Sequence, residues 1–294
     1  MNLINKIYPN AFPYLLKEIP DPPEFLYVQG HLPLPDSKIL CVVGSRNNSS
    51  YGEETCKELI KGLAGYNITI VSGLAFGIDS IAHKAALDAK LHTIAFPGSG
   101  LHPDFIYPPR HLDLSRKILE ANGALISEYE PETESVYWMF PRRNRLMAGI
   151  SNATLVIEAQ EKSGTLITAR LALEYNRDVG AIPGQIFSNL SHGPNNLISD
   201  GAKIIRSSED ILEMLGFKLN ISQGLIPLTT DSRYQNLGEV EKKIMRFLQI
   251  EPRNRDEIIR NLNLPIHEIN ILLSNLEIDG LIKEQNGFIR CVRT

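Results

Sequence analysis

The sequence predicts a doubly wound, Rossmann-like α/β fold, followed by a small winged-helix unit. Three observations predict it. Between residues 38 and 217, short apolar runs rich in β-branched residues alternate with stretches whose apolar residues fall at helical spacing. Four of those runs end in small and polar residues, Gly44-Ser45-Arg46, Ser72-Gly73, Pro97-Gly98-Ser99-Gly100 and Pro183-Gly184, as α/β sheets do at their ligand-binding edge. Beyond residue 238 the rhythm changes to three helical stretches and a hairpin. At 294 residues and 43 % hydrophobic, the chain can bury a large core and exceeds one average domain.

The elements follow in order. Residues 1–37 are rich in proline ("DPPEF", "LPLPD") and read as an extended or short-helical lead-in without chemistry. Residues 38–217 supply the strands "KILCVVGS", "NITIVSG", "LHTIAFPG", "GALISE", "ATLVIEA", "DVGAIPG" and "AKIIRS". Between them stand the helical stretches "YGEETCKELIKGLAGY", "GIDSIAHKAALDAK", "PPRHLDLSRKILEANG" and "TLITARLALEYN", most closed by Gly, Asn or Lys. Strands this apolar, separated by helices, require a parallel sheet covered on both faces. Residues 218–238 mix Ser, Thr, Asn, Gly and Pro without periodicity, which is linker composition. Residues 239–294 give three helices and a hairpin turning at Asn286-Gly287, the winged-helix pattern. No internal repeat or low-complexity segment interrupts the chain.

Bulk charge decides little. Thirty-four acids against thirty bases, net −4, argue against a wholly basic nucleic-acid coat but leave room for a local basic stripe. Cys41, Cys56 and Cys291 are odd in number and lack metal-ligand spacing, so neither a disulfide nor a zinc site is expected. The start "MNLINKIYPNAF" has no apolar signal-peptide region, and polar residues interrupt every long apolar run, so a cytoplasmic protein without membrane contact is expected.

Four stretches carry candidate chemistry. Gly44-Ser45-Arg46 joins a strand to a helix; its glycine admits a ligand, its hydroxyl and helix amides suit a phosphate oxygen, and Arg46 can grip one bidentately. An ordinary strand-to-helix turn explains it equally well. There is no GxGxxG there and no acid placed for a ribose, which argues against a dinucleotide site. Ser72-Gly73 opens "SGLAFGID", where Phe76 suits base stacking or the core, and Asp79 suits a helix cap or a ligand. Lys162-Ser163-Gly164-Thr165 leads into a long helix whose first-turn amides and dipole form an anion site, richer than a plain cap needs. Finally, "FPRRNRLMAGIS" at 140–151 predicts a helix from about Pro141 to Gly149, with Arg142 and Arg145 on one face, Arg143 on another, and Leu146 and Ile150 inward. From Phe140 to Arg170 five bases stand against two acids, net +3, opposing the sign of the whole chain. That reversal points to a polyanion track rather than a solvated face.

Taken together, "YPNAFPYLLKEIPDPPEFLYVQG", "VVGSRNNSSYG", "VSGLAFGIDSIAHKAAL", "YPP", "GALISEY", "FPRRNRLMAGIS", "VIEAQEKSGTLITARLALEYNRDVGAIPG" and "GPNNLISDGAKII" resemble the DprA/Smf (DNA processing protein A) family, in matching order over about residues 8–217. The resemblance implies an extended Rossmann fold that binds single-stranded DNA as a homodimer, protects it and helps load RecA in natural transformation. It implies no catalysis, cofactor or metal. Carried over to this sequence, Gly44, Ser45, Arg46, Gly73, Arg142, Arg143, Asn144, Arg145, Lys162, Ser163, Gly164 and Thr165 hold the phosphate backbone, with Phe140 or Phe76 near the bases. The chain departs from many relatives in carrying Phe76 at a basic position and His102 at an Asp position, and it largely lacks their N-terminal helical domain. Its last helical stretch, "PIHEINILLSNLEID", has acids but no Lys or Arg, which favours protein contact or autoregulation over DNA reading.

A rival class is the nucleoside monophosphate phosphoribohydrolases resembling lysine-decarboxylase-like proteins. They share a related core, but use a glutamate shortly after the threonine of their phosphate turn. Here Thr165 is followed by Leu166, Ile167, Thr168 and Ala169.

Overall fold

The computed structural model describes residues 3–217, 237–250, 253–262, 265–285 and 287–291. It divides into two units, Met1–Leu219 and Asn220–Thr294. The first unit is built on one nine-stranded sheet. Its strands are β1 (Ile4–Ile7), β2 (Leu26–Gly30), β3 (Lys38–Val43), β4 (Ile68–Ser72), β5 (His92–Ala95), β6 (Ala124–Ser127), β7 (Ala153–Val156), β8 (Asp178–Ala181) and β9 (Lys203–Ile204). They lie in the order β1-β2-β6-β5-β4-β3-β7-β8-β9. From β6 to β9 every pairing is parallel; β1 and β2 pair antiparallel with each other, and β2 antiparallel with β6.

The helices are α1 (Tyr14–Lys17), α2 (Ser50–Lys61), α3 (Ile78–Asp88), α4 (Leu112–Glu120), α5 (Met139–Ile150), α6 (Gly164–Glu174), α7 (His192–Ser199) and α8 (Ser208–Met214). The two-residue period of β3 explains why both faces of the sheet are covered. Ile39, Cys41 and Val43 enter a core with Leu16 of α1, Leu146 of α5, Ala169 and Ala172 of α6 and Leu197 of α7. Leu40 and Val42 enter the opposite core, with Ile60 of α2, Ile78 of α3 and Ile211 of α8. A third cluster packs Leu114 and Ile118 of α4 against Leu125 of β6 and Tyr27 of β2.

Two readings of the sequence change here. Residues 1–37 are not a separate lead-in: β1 and β2 extend the sheet, and Phe12, Leu16, Ile19 and Leu26 are buried in its core. Strand β1 lies at the antiparallel edge, where half of "INKI" faces solvent, and the short buried run Leu26-Tyr27-Val28 of β2 stands among prolines. Helices α7 and α8 stand where the sequence reading had only connections.

The second unit contains α9 (Glu239–Ile250), α10 (Arg255–Leu262), α11 (Ile266–Ile278) and the antiparallel pair β10 (Ile282–Gln285) and β11 (Phe288–Cys291). Its core takes Leu237, Ile244, Ile258, Ile289 and, at spacing i, i+4, i+7 on α11, Ile269, Leu273 and Leu276. Arg255 ties the hairpin to α11, donating to Glu284 Oε2 at 2.8 Å and to Asn270 Oδ1 at 3.1 Å. Residues 218–236, most of the expected linker, and Asn286 of the expected hairpin turn lie outside the described residues. Among the described residues no helix is long and apolar enough to cross a membrane.

Candidate nucleic-acid interface

Strand order creates the site. From β3 the chain winds one way to β4, β5 and β6, whereas β7, β8 and β9 wind the other way, so the carboxyl ends of β3 and β7 flank the point where the winding reverses. A pocket of about 760 Å³ opens there. Its walls come from the turn after β3 (Gly44, Ser45, Arg46), the start of α5 (Phe140, Arg143, Asn144) and the start of α6 (Lys162, Ser163, Gly164, Thr165). Ten of the fourteen sequence-derived candidates therefore meet in one cavity; Gly73, Phe76, Arg142 and Arg145 do not line it.

The start of α6 is preorganised. Ser163 is its N-cap, with Oγ accepting the Thr165 N–H at 3.2 Å, while Thr165 Oγ1 donates to Gly44 O at 3.0 Å and fastens α6 to the end of β3. Asn144 Nδ2 donates to Gly164 O at 3.4 Å, bringing α5 to the same turn. A Cβ added at Gly164 would meet nothing within 4 Å, so this amide turn faces open space. The helix dipole adds partial positive charge where the turn opens.

The start of α2 behaves differently. The buried Glu158 carboxylate accepts the Ser49 N–H at 2.9 Å and the Ser49 hydroxyl at 2.5 Å, and Ser49 in turn caps Gly52. An internal anion thus occupies this helix end. Ser45 Oγ accepts the Asn47 N–H at 3.1 Å, a local bond within the turn. The expectation that α2 offers its amides to a phosphate is corrected accordingly; what the turn after β3 offers is Arg46, exposed, with its guanidinium 5.3 Å above the Phe140 ring.

The arginines of α5 separate by helical phase. Arg143 points under the pocket, where its Nη1 donates to Gly73 O at 2.6 Å and to Phe96 O, and its Nε to Asn144 Oδ1 at 3.3 Å. Any Cβ at Gly73 would collide with this guanidinium, which gives that glycine a packing role. Burial pulls Arg143 below the usual guanidinium range, opposed by the nearby Asp79. Burial likewise raises Asp79, opposed by Arg143 and by the Ala75 N–H. Both side chains line the pocket. Asp79 does not cap α3; it accepts from the Gly73 and Ala75 N–H groups of the preceding loop.

Arg142 and Arg145 share a face, as their spacing predicts, and that face meets Glu128 at the end of β6. Arg142 Nε lies 3.4 Å from Glu128 Oε2, on a half-exposed side chain. Arg145 is 8 % exposed, with Nη2 at 2.5 Å from Glu128 Oε1 and Nη1 donating to Asp21 O at 2.7 Å. The expectation that Arg145 contacts a phosphate is corrected: it is locked in an internal ion pair. Phe76 is partly exposed on the loop after β4 and packs edge-on against His111, ring centroids 4.9 Å apart.

The cations left for a ligand are Arg46, Lys162 and Arg170, all exposed, pocket-lining, and without a carboxylate within 4.0 Å among the described residues. Sequence reasoning counted Arg170 in the local charge but missed it as a site residue. Its position on α6, three and four residues beyond Ile167 and Leu166, puts it on the face those two pocket-lining residues share. Tyr137, 86 % exposed and also lining the pocket, was missed because it precedes the motif. Among the described residues no group of three His, Cys, Asp or Glu side chains is placed to hold a metal ion.

Known proteins give the fold a context. The family model described as DNA recombination-mediator protein A matches residues 4–216, and one described as DprA winged helix domain matches residues 229–287. Protein Smf of Escherichia coli is 38 % identical over 96 % of this chain and 75 % of its own length. The DNA processing protein A of Streptococcus pneumoniae superposes with a TM-score of 0.67 at 39 % identity, covering 71 % of this chain and 74 % of that one. The DNA processing protein A of Helicobacter pylori, studied for its single-stranded DNA binding mode, superposes with a TM-score of 0.64 at 31 % identity, covering 73 % of this chain and 98 % of that one.

Proposed function

The chain belongs to the DNA recombination-mediator protein A family, and on that premise we propose that it grips the sugar-phosphate backbone of single-stranded DNA at the switch-point pocket. One observation carries the reading: in a chain of net charge −4, three exposed cations without acidic partners among the described residues converge with the open first turn of α6 on a single cavity. Arg46, Lys162 and Arg170 hold phosphate oxygens; the α6 amides hold one more, assisted by the helix dipole. Phe140, already stacked under Arg46, meets a base. Arg143 and Asp79 shape the floor, and Arg142 flanks it from the Glu128 side.

Backbone contacts carry no sequence information, so the site takes any sequence. Its preference for single strands follows from a cavity that accepts an unstacked base. Binding without chemistry is the mode: the strand is protected and passed to RecA during natural transformation. A homodimer acting in the cytoplasm completes the reading, supported by family membership.

The test is fluorescence anisotropy with a labelled dT oligomer at moderate salt. Arg46→Glu and Lys162→Glu are each expected to weaken binding at least about tenfold, the scale of one lost charge-assisted hydrogen bond, on any sequence and without changing the melting temperature. Wild-type affinity in both variants would place the site elsewhere. The rival phosphoribohydrolase reading has its own check: free base released from a nucleoside monophosphate at enzymatic rates would replace binding with catalysis.

A further inference from the structure

Rings on the carboxyl edge of the sheet continue beyond the pocket. Phe140 carries Arg46 on its face and meets Tyr107 at 5.6 Å, the two planes tilted by 48°. Tyr107 belongs to the loop after β5 and is 40 % exposed. On the same loop His111 packs against Phe76, which comes from the loop after β4. These rings are fixed in place: His111 Nδ1 donates to Leu74 O at 2.7 Å, and the Phe140 ring closes over Gly98. Arg110, beside His111, is exposed and meets no carboxylate within 4.0 Å among the described residues. The ends of β3 and β5 are two strand spacings apart, about 10 Å.

We propose that single-stranded DNA leaves the phosphate pocket toward the loops after β4 and β5, stacking a base on Tyr107 beside Phe140, with Phe76 and His111 beneath the next position and Arg110 on a phosphate. This path rests on the reading of the pocket as a single-stranded DNA site. Its occupant is set by the alternation of π-faces with unpaired cations, which matches the alternation of base and phosphate along a strand. The opposite exit, past β8, offers Ile186 and Phe187, 72 % and 92 % exposed, but residues 184–191 contain no Lys or Arg to follow a backbone.

The experiment compares a dT oligomer with an oligomer of abasic sugar phosphates of equal length, on the full chain at fixed salt. Tyr107→Ala should lose about tenfold on dT, the scale of one base–ring stack, and nothing on the abasic oligomer, while Tyr107→Phe keeps wild-type affinity. Phe187→Ala should bind both like wild type. A second measurement places 2-aminopurine within the oligomer: its quenching on binding to the wild-type chain should be reduced in Tyr107→Ala. Equal quenching by the wild type and Tyr107→Ala, unchanged dT affinity in Tyr107→Ala, or a loss carried by Phe187→Ala instead would each overturn the path while leaving the pocket intact. A wild-type chain that binds neither oligomer would overturn the pocket reading, and the path with it.

Discussion

Arg142, Arg143 and Arg145 leave one turn of α5 for different surroundings, and their surroundings rather than their charge fix their roles. Arg143 donates to carbonyls at the ends of β4 and β5 and organises the pocket floor. Arg142 stays half in solvent beside Glu128. Arg145, with both partners of its ion pair almost entirely buried, joins α5 to β6 and, through Asp21, to the segment before β2. Glu128 keeps Arg142 when Arg145 is removed, so what is lost is the charge-assisted hydrogen bonding of Arg145, worth about 1.5–3 kcal/mol. Arg145→Ala is therefore expected to lower the melting temperature by roughly 3–12 °C for a unit of this size, while the folded variant binds dT like wild type. Differential scanning calorimetry and anisotropy on the same sample decide it. A stable variant with weakened DNA binding would return Arg145 to the interface. Spacing alone made the common face of Arg142 and Arg145 legible; that this face meets Glu128 depends on tertiary neighbours that no local pattern encodes.

At the scale of elements, the parallel strands were legible because each is a short, fully buried apolar run, as "ILCVV" in β3 is. Helix α6 was legible from Ser163-Gly164-Thr165, where Ser163 caps a first turn that opens on free space at Gly164. Helix α8 had a signal that went unread: Ser207 caps it by accepting from Asp210, within a Ser-x-x-Asp box. Helix α7 lacks one, because Ser191 makes no side-chain cap and Pro194 falls within the helix. In the second unit α11 buries one stripe and leaves Ile266, Ile271 and Ile278 exposed, with Glu268 and Glu277 but no Lys or Arg along its length. A helix that enters a major groove needs donors for bases and phosphates. Ile271→Asp, which adds an anion to the exposed face, is thus expected to leave affinity for both dT and a matched duplex within twofold of wild type. A selective loss on the duplex would show α11 inside a groove, where the added carboxylate meets phosphates.

At the scale of the whole molecule, a negative chain binding a polyanion must concentrate its attraction in a small area. Thirty bases and thirty-four acids are spread over the chain, yet internal pairing such as Arg145–Glu128, Arg177–Glu18 and Arg206–Asp210 removes many cations from the surface account. What remains at the switch point is Arg46, Lys162 and Arg170, with Arg142 and Arg110 to the side. The sequence could report a local excess of positive charge from Phe140 to Arg170 but not which charges were already paired, since pairing is a property of the folded neighbourhood. This arithmetic has a thermodynamic consequence. Each phosphate neutralised on a single strand releases condensed counterions, so log K falls with log salt at a slope of about −0.7 per contact. Three to five contacts give a slope between about −2 and −3.5, far shallower than a basic coat along the whole chain would produce. Arg170→Gln should bring the slope about 0.7 closer to zero and weaken binding uniformly across dT, dA and mixed sequences. Anisotropy titrations over a range of salt concentrations measure both quantities at once. A slope unchanged by Arg170→Gln would mean that this cation never touches the backbone, and a slope near zero in the wild type would mean that charge does not hold the strand at all.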